Sequence, residues 1–298
     1  MNPFFNKFLD LLWCGAGLKE PGAIDTLPSD DEEWYSVFEC SVNQCVCGIV
    51  YTAVEALPEE KRPCKALLDL WRSATEQIER NSAYVLALAE KQRLAWEKHG
   101  INAVLLKGPE SAKMYPRPER RTTGDLDWWM PSEYDWKAAL KVLEKNSLQW
   151  ERDSDGDIRY LLGDTPVEHH VRGLEAPGAE GVLLMLASHI LHHALVFGVG
   201  LKQVCDYFVA LNYFEGRYDD AGYEALLKKK GILRWERRLR SMDPVFLSFV
   251  FEDGNMGRAG KRNPFSAVRR FVYFAGLCPG ALFARWTGLA FGRLKRIF

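Results

Sequence analysis

The stretch from residue 103 to residue 131, AVLLKGPESAKMYPRPERRTTGDLDWWMP, decides how the rest of the chain is read. It predicts a buried strand over Val104, Leu105 and Leu106, a stop at Lys107-Gly108, a short helix, a proline-rich turn, and a second strand carrying Asp125 and Asp127. Side chains at i and i+2 leave a strand on the same side, so Asp125 and Asp127 share one face while Leu126 and Trp128 share the other. Two carboxylates about 7 Å apart along a strand repel each other unless a positive group lies between them. At an effective dielectric of about 20, like charges about 4 Å apart cost roughly 4 kcal/mol, and a divalent ion turns that cost into attraction. A hard cation with oxygen ligands, such as Mg2+, suits the pair.

An acid-x-acid triplet says little alone, because a chain with this share of acidic residues holds roughly five by chance. The context is more specific: an apolar strand ends in Gly108, and Asp125 follows 17 positions later in G-D-L-D-W-W-M. With these features the segment resembles the nucleotidyltransferases of the polymerase-beta-like superfamily, in the subgroup with an L-K-G strand end and an R-x-x-x-D-hydrophobic-D strand. The resemblance runs from about residue 86 to about residue 206. It implies an α/β (α+β) fold, a polymerase-beta-like core with a small mixed sheet, flanked by helical N- and C-terminal regions.

The same resemblance implies the chemistry. Asp125 and Asp127 would hold catalytic Mg2+ (or Mn2+), with an NTP as substrate. A third carboxylate on a neighbouring strand completes such sites, and Glu168 in the V-E-x-H pattern of Pro166-Val-Glu-His-His-Val-Arg172 is the matching position, where aspartate is more usual. Alternation puts Glu168, His170 and Arg172 on one face and Val167, His169 and Val171 on the other. The simpler reading of Glu168 and Arg172 is a same-face ion pair. Gly108 would let the backbone approach a triphosphate, although the superfamily usually shows Gly-Ser or Gly-Gly where this chain has Lys107-Gly108-Pro109, with Ser111 further on. Lys107 and Arg121 would supply positive charge to phosphates, Arg121 bidentately. Arg120 is expected to be the exposed neighbour, His170 to face the nucleotide, and Trp129 to stack on a base or pack in the core.

Working outward, Ser29-Asp-Asp-Glu32 predicts a capping box that opens a helix to about Ala56. Apolar spacing through Leu67, Leu70, Trp71, Ala74 and Ile78 predicts a second helix over Lys65–Lys98, stopped by Gly100. Ser132 caps another helix to about Lys145. Two strand-like runs, 148–152 and 158–162, flank D-S-D-G-D. Asp153, Asp155 and Asp157 superficially resemble a calcium loop but lack its glycine and closing glutamate, so this is expected to be a solvated turn. Residues 181–201, GVLLMLASHILHHALVFGVGL, have no formal charge, yet three histidines and three glycines favour a buried core helix over a membrane span. His189 and His193 share a helix face with His192 nearby and could bind zinc with Asp206, although lone helical histidines are more often core or cleft residues.

The net charge of −1 hides an asymmetry. Beyond residue 257 stand nine basic residues and no acid, so of 39 basic residues 30 remain against 40 acidic, a body at −10 with a basic aromatic tail. That tail suits packing on the core, an anionic membrane surface or a nucleic-acid contact, and the acidic body argues against nucleic acid. Seven cysteines without framework spacing indicate free thiols in a reducing compartment, and residues 1–15 lack the form of a signal peptide. The expected organisation is a helical region at 1–90, the core at 91–175, a helical region completing the cleft at 176–254, and the basic segment at 255–298. The expected function is metal-dependent transfer of a nucleotidyl group from an NTP to a small-molecule or protein acceptor, in the cytoplasm or at its membrane surface. The alternative is a non-catalytic nucleotide-binding or regulatory protein tethered by its tail. Acceptor, base preference and oligomeric state are not written in the sequence.

Overall fold

Alternating side-chain direction along LDWW places Leu126 and Trp128 in the core of the strand β2 (Leu126–Trp129). The computed structural model describes residues 3–24, 26–152, 156–171, 173–196, 198–254 and 264–283. Within them β2 belongs to a five-stranded mixed sheet with β1 (Val104–Leu105), β3 (Trp150–Arg152), β4 (Ile158–Leu162) and β5 (Thr165–His170), in the order β1-β2-β5-β4-β3. β2 and β5 run parallel, and every other neighbouring pair is antiparallel. A parallel neighbour cannot be reached by a tight turn. Here the connection from β2 to β5 is made by a helix, Glu133–Lys145, and the β3–β4 hairpin.

The chain divides into two compact units, one of residues 14–24 and 47–175, the other of residues 1–13, 25–46 and 176–298. Among the described residues twelve α-helices follow in chain order. α1 (Pro3–Gly15) starts in the second unit, which also holds α2 (Asp31–Asn43). The sheet unit holds α3 (Cys47–Ala56), α4 (Lys65–Lys98), α5 (Pro109–Ala112) and α6 (Glu133–Lys145). The second unit continues with α7 (Gly178–Leu195), α8 (Leu201–Tyr213), α9 (Asp220–Lys230), α10 (Leu233–Arg240), α11 (Pro244–Asp253) and α12 (Pro264–Leu277). Residue 90, the expected end of an N-terminal region, lies inside the unbroken α4.

In the sheet unit one face of the sheet is covered. Val85, Ala89 and Trp96 on α4, with Ala139 and Leu143 on α6, pack against Leu126, Trp128, Ile158 and Val167. Their three- and four-residue spacing on the helices matches the period-two spacing on the strands, which is what closes a single core layer. Burying each large apolar side chain contributes roughly 1.5–3 kcal/mol, and truncating Leu126 to alanine would cost about 2–5 kcal/mol. α4 ends as its sequence predicts, with Gly100 in left-handed geometry at φ 66°. Ser132 caps α6 by accepting from the Asp135 amide at 3.1 Å, and Asp135 in turn accepts from the Asn102 amide at 2.8 Å. The strand ends and the covering helix are thereby tied together.

The helix expected over residues 29–56 is two helices. α2 ends at Asn43, Cys45 adopts φ 56°, and α3 starts at Cys47, where the chain passes from one unit to the other. The cap is also displaced by one residue: Asp30 accepts from the Glu33 amide at 2.9 Å, while Glu33 reaches back to the Ser29 amide at 2.8 Å. The aspartate fits this role because its carboxylate is a shorter and stronger acceptor beside the helix N-terminus.

In the second unit α7 is buried as expected, and among the described residues no helix is long and apolar enough to cross a membrane. Gln44 joins its helices by donating to the Val250 carbonyl at 3.1 Å and accepting from the Leu201 amide at 2.8 Å. Trp235, in the basic 228–240 segment, is wholly buried against Phe246 and Phe274. Of the basic tail, Arg269 and Arg270 are described and both are ion-paired, Arg269 with Glu252 and Arg270 bidentately with Asp253 at 2.7 and 2.9 Å. Arg258, Lys261, Arg262, Arg285, Arg293, Lys295 and Arg296 lie outside the described residues.

Candidate active site

Parallel pairing sets Asp127 directly beside Glu168, as Cα partners on β2 and β5. Both side chains leave on the open face of the sheet, since their neighbours Leu126, Trp128, Val167 and His169 are buried in the core. Adjacent strands lie about 4.8 Å apart, so two like charges confront each other and one of them, Asp127, is only 1% exposed. Such an arrangement persists only where cations offset it.

Three cationic groups do so. β1 pairs antiparallel with β2, and the Leu106 amide donates to the Asp127 carbonyl at 2.8 Å, which delivers the next residue, Lys107, to the carboxylate. Lys107 Nζ stands 3.0 Å from Asp127 Oδ1, and His170 Nε2 stands 2.7 Å from the same oxygen. On the other side Arg159 Nε meets Glu168 Oε1 at 2.9 Å. His170 is held from behind: its Nδ1 lies 2.7 Å from Asp157 Oδ2, and Asp157 Oδ1 accepts from the Val171 amide at 2.8 Å.

The charges follow from these contacts. Burial would raise the Asp127 carboxyl, but Lys107 and His170 outweigh it and hold it well below the usual carboxylate range. Burial would lower Lys107, yet the fields of Asp127, Asp125 and Glu168 raise it. Burial also opposes a charged His170, but its bonds to Asp127 and Asp157 push it up to about 9. Asp157 is lowered, burial being outweighed by His170 and the Val171 amide. Glu168 goes the other way, raised by burial and then by the charge of Asp127. One carboxylate is therefore locked ionised while its neighbour is poised to take a proton.

Among the described residues, Asp127, Glu168 and His170 form the one group of three metal-ligating side chains whose donor atoms lie within 4.8 Å of one another. Asp125 immediately precedes β2 and stands outside that group. Its field reaches Lys107, and its carbonyl lies where it fixes the residue at position 108: Gly108 has φ 69°, and a Cβ there would sit 2.9 Å from the Asp125 oxygen. The glycine is required by that close backbone approach as well as by its dihedral angle.

Ser111 is buried on α5. Arg121 is buried too, with its guanidinium donating to the Gly108 carbonyl at 3.2 Å and to Thr123 Oγ1 at 3.4 Å. It braces the glycine turn from inside, and α4 clamps the same segment through Asn81 to the Thr123 carbonyl at 2.8 Å and Ser82 to the Arg121 carbonyl at 3.2 Å. Arg120 is not the exposed neighbour: it is buried, paired with Glu79 at 2.8 Å and with Glu55, and lies 5.5 Å from the Tyr51 ring. Two acids and an aromatic from α3 and α4 make that burial affordable. Trp129 covers Gly173, where a Cβ would fall 1.8 Å from the ring. Arg172 and the turn residues Asp153 and Asp155 lie outside the described residues.

Asp157 and Arg159 belong to this cluster and were not singled out by the sequence reading; of D-S-D-G-D, Gly156 and Asp157 are the described residues. The signal was the hairpin register: with Ile158 opposite His169, Arg159 falls opposite Glu168 and Asp157 is carried to His170. The same face continues across β4 and β3 as an open groove of about 830 Å³, lined by Gln149, Glu151, Arg159, Leu161, Pro166 and Glu168. In the second unit His189 and His193 rings stack edge-on at 4.3 Å, and they do not form a metal-ligating group with Asp206.

On the core face the same strands carry a neutral network. Trp128 Nε1 donates to Gln92 Oε1 at 2.8 Å, Gln92 Nε2 donates to the Tyr160 hydroxyl at 2.6 Å, and that hydroxyl meets His169 Nε2 at 2.9 Å. Burial, then the charge of His170, pushes His169 down to about 3.

Residues 30–180, half of the chain, match the model of a family described as uncharacterised nucleotidyltransferases. No curated protein and no solved structure gives a significant match.

Proposed function

Because the chain belongs to that family of uncharacterised nucleotidyltransferases, we propose that it transfers a nucleoside monophosphate from an NTP to a hydroxyl of a small-molecule or protein acceptor, with a divalent cation. The observation that supports this reading most directly is the in-register apposition of Asp127 and Glu168 on parallel strands, with Lys107 3.0 Å from Asp127. Hard oxygen donors crowded on one face, one of them held ionised at the cost of two neighbouring cations, fit Mg2+ or Mn2+.

Asp125, Asp127 and Glu168 would hold the cation, which when bound supplies neutralisation of phosphate charge and acidification of the acceptor hydroxyl. The chain's own groups do the remainder. Lys107 meets the triphosphate as a point charge. The acceptor oxygen forms its bond to the α-phosphorus as the bond to pyrophosphate breaks. Glu168, raised above its ordinary value and next to the groove, takes the hydroxyl proton. Arg159 holds one Glu168 oxygen and thereby orients the other.

Pyrophosphate release with each NTP, measured for the wild type and Asp127→Asn, tests the proposal. Turnover is expected to vanish in the variant, and equal turnover by both proteins would overturn the assignment. A second reading, nucleotide binding without transfer, rests on the strand end Lys107-Gly108-Pro109 standing where Gly-Ser is usual, with Gly108 itself already required by the Asp125 carbonyl. NTP binding by calorimetry with no pyrophosphate released would select that reading.

A further inference from the structure

Resting on the proposed cation dependence, we infer that His170 is itself a ligand of the ion through Nε2, oriented by Asp157, so that the site takes a first-row transition ion such as Mn2+ in preference to Mg2+. Nε2 is the nitrogen turned towards the carboxylates, 2.7 Å from Asp127 Oδ1 and 3.8 Å from Glu168 Oε2. These three donors are the described group that lies within 4.8 Å, close enough to share one ion. The ring does not depend on Asp127 for its orientation. Asp157 receives Nδ1 at 2.7 Å and is itself fixed by the Val171 amide at 2.8 Å.

A carboxylate behind the far nitrogen of a histidine is the arrangement that fixes the tautomer and raises the donor strength of a metal-binding imidazole. Charge balance alone does not call for it, since Lys107 already faces Asp127 Oδ1 at 3.0 Å. Coordination exchanges the Nε2 proton for the ion, and Asp157 keeps the Nδ1 proton in place. Mg2+ prefers oxygen and water, whereas imidazole nitrogen favours transition ions, so a mixed nitrogen and oxygen donor set discriminates between them.

The test is Mn2+ added alone to the full chain, read by electron spin echo envelope modulation and by competition with Mg2+. The wild type is expected to show nitrogen-14 modulation, and Mg2+ is expected to displace Mn2+ only at roughly tenfold or greater excess. His170→Gln should remove the modulation. Asp157→Asn should retain it while weakening Mn2+ by about 10–100-fold. Bound Mn2+ without nitrogen modulation in the wild type overturns the inference, as does persistence of the modulation in His170→Gln or displacement by an equal concentration of Mg2+. These readouts are independent of turnover: nitrogen-coupled Mn2+ in a protein that releases no pyrophosphate would sink the transferase reading alone. No Mn2+ binding at all would overturn both the inference and the cation dependence beneath it.

Discussion

His169 and His170 are neighbours on one strand, yet the two faces of the sheet treat them oppositely. On the core face His169 is neutral, pushed down to about 3, and completes a chain of hydrogen bonds through Tyr160 and Gln92 to Trp128. On the open face His170 is pushed up to about 9 between Asp127 and Asp157. The core face satisfies every partner in that chain with a neutral donor or acceptor and so acts as a fixed plate. Repelling carboxylates on the open face are held instead by charged partners, Lys107, His170 and Arg159. Residue type is the same in both places; surroundings decide which histidine is held neutral and which is held charged.

Substitutions on the two faces should separate accordingly. The largest expected effect is Glu168→Gln on the open face, which should lower pyrophosphate release by about 10²–10⁴-fold. Its melting temperature should hold or rise, because one of two repelling groups is gone. A parallel fall in stability would show that the open face is part of the structural plate. Next comes Gln92→Leu on the core face, which strands the Trp128 Nε1 donor and removes the hydrogen bond that the Tyr160 hydroxyl accepts. At about 1–3 kcal/mol for each buried unsatisfied group, urea unfolding should show a loss of roughly 3 kcal/mol, with KM for NTP unchanged.

Proton NMR titration gives a third contrast. The His170 ring signals should shift near pH 9, and those of His169 should stay unchanged down to about pH 3. The signs for stability are opposite. His170, raised on folding, contributes stability that is complete below about pH 6.5 and is lost as pH rises through about 9. His169, depressed on folding, contributes stability present above about pH 6.5 and lost as pH falls towards 3. Both rings titrating together near 6.5 would erase the comparison. The smallest effect expected is that of Arg159→Gln. Its ion pair with Glu168 is half-exposed, so the change should be under about 1 kcal/mol in stability and less than tenfold in kcat.

Much of this contrast was legible in advance, for identifiable reasons. Period-two alternation through Asp125-Leu126-Asp127-Trp128 and through Glu168-His169-His170 separates the two faces whatever the topology. Local signals also sufficed for α4 and α6, where Gly100 and Ser132 mark the ends. Asp157 and Arg159 were not legible, because their partners are set by β4–β5 register, a tertiary fact. The division between α2 and α3 was hidden as well. It hinges on Cys45 at positive φ, where neither glycine nor proline announces a turn. The R-x-x-x-D pattern sets Arg121 apart from Arg120, but the burial of Arg120 was hidden because Glu55 and Glu79 reach it from distant positions in the chain.

Among the described residues the sheet that carries all this ends at strands of two and three residues, β1 and β3, and β3 shows Glu151 and Arg152 to solvent. Each margin offers only a short row of unpaired amides and carbonyls, one of them flanked by charges of both signs. A second copy therefore finds little template on which to extend the ladder, which protects a chain rich in Trp, Phe and Val from growing into fibres at high concentration.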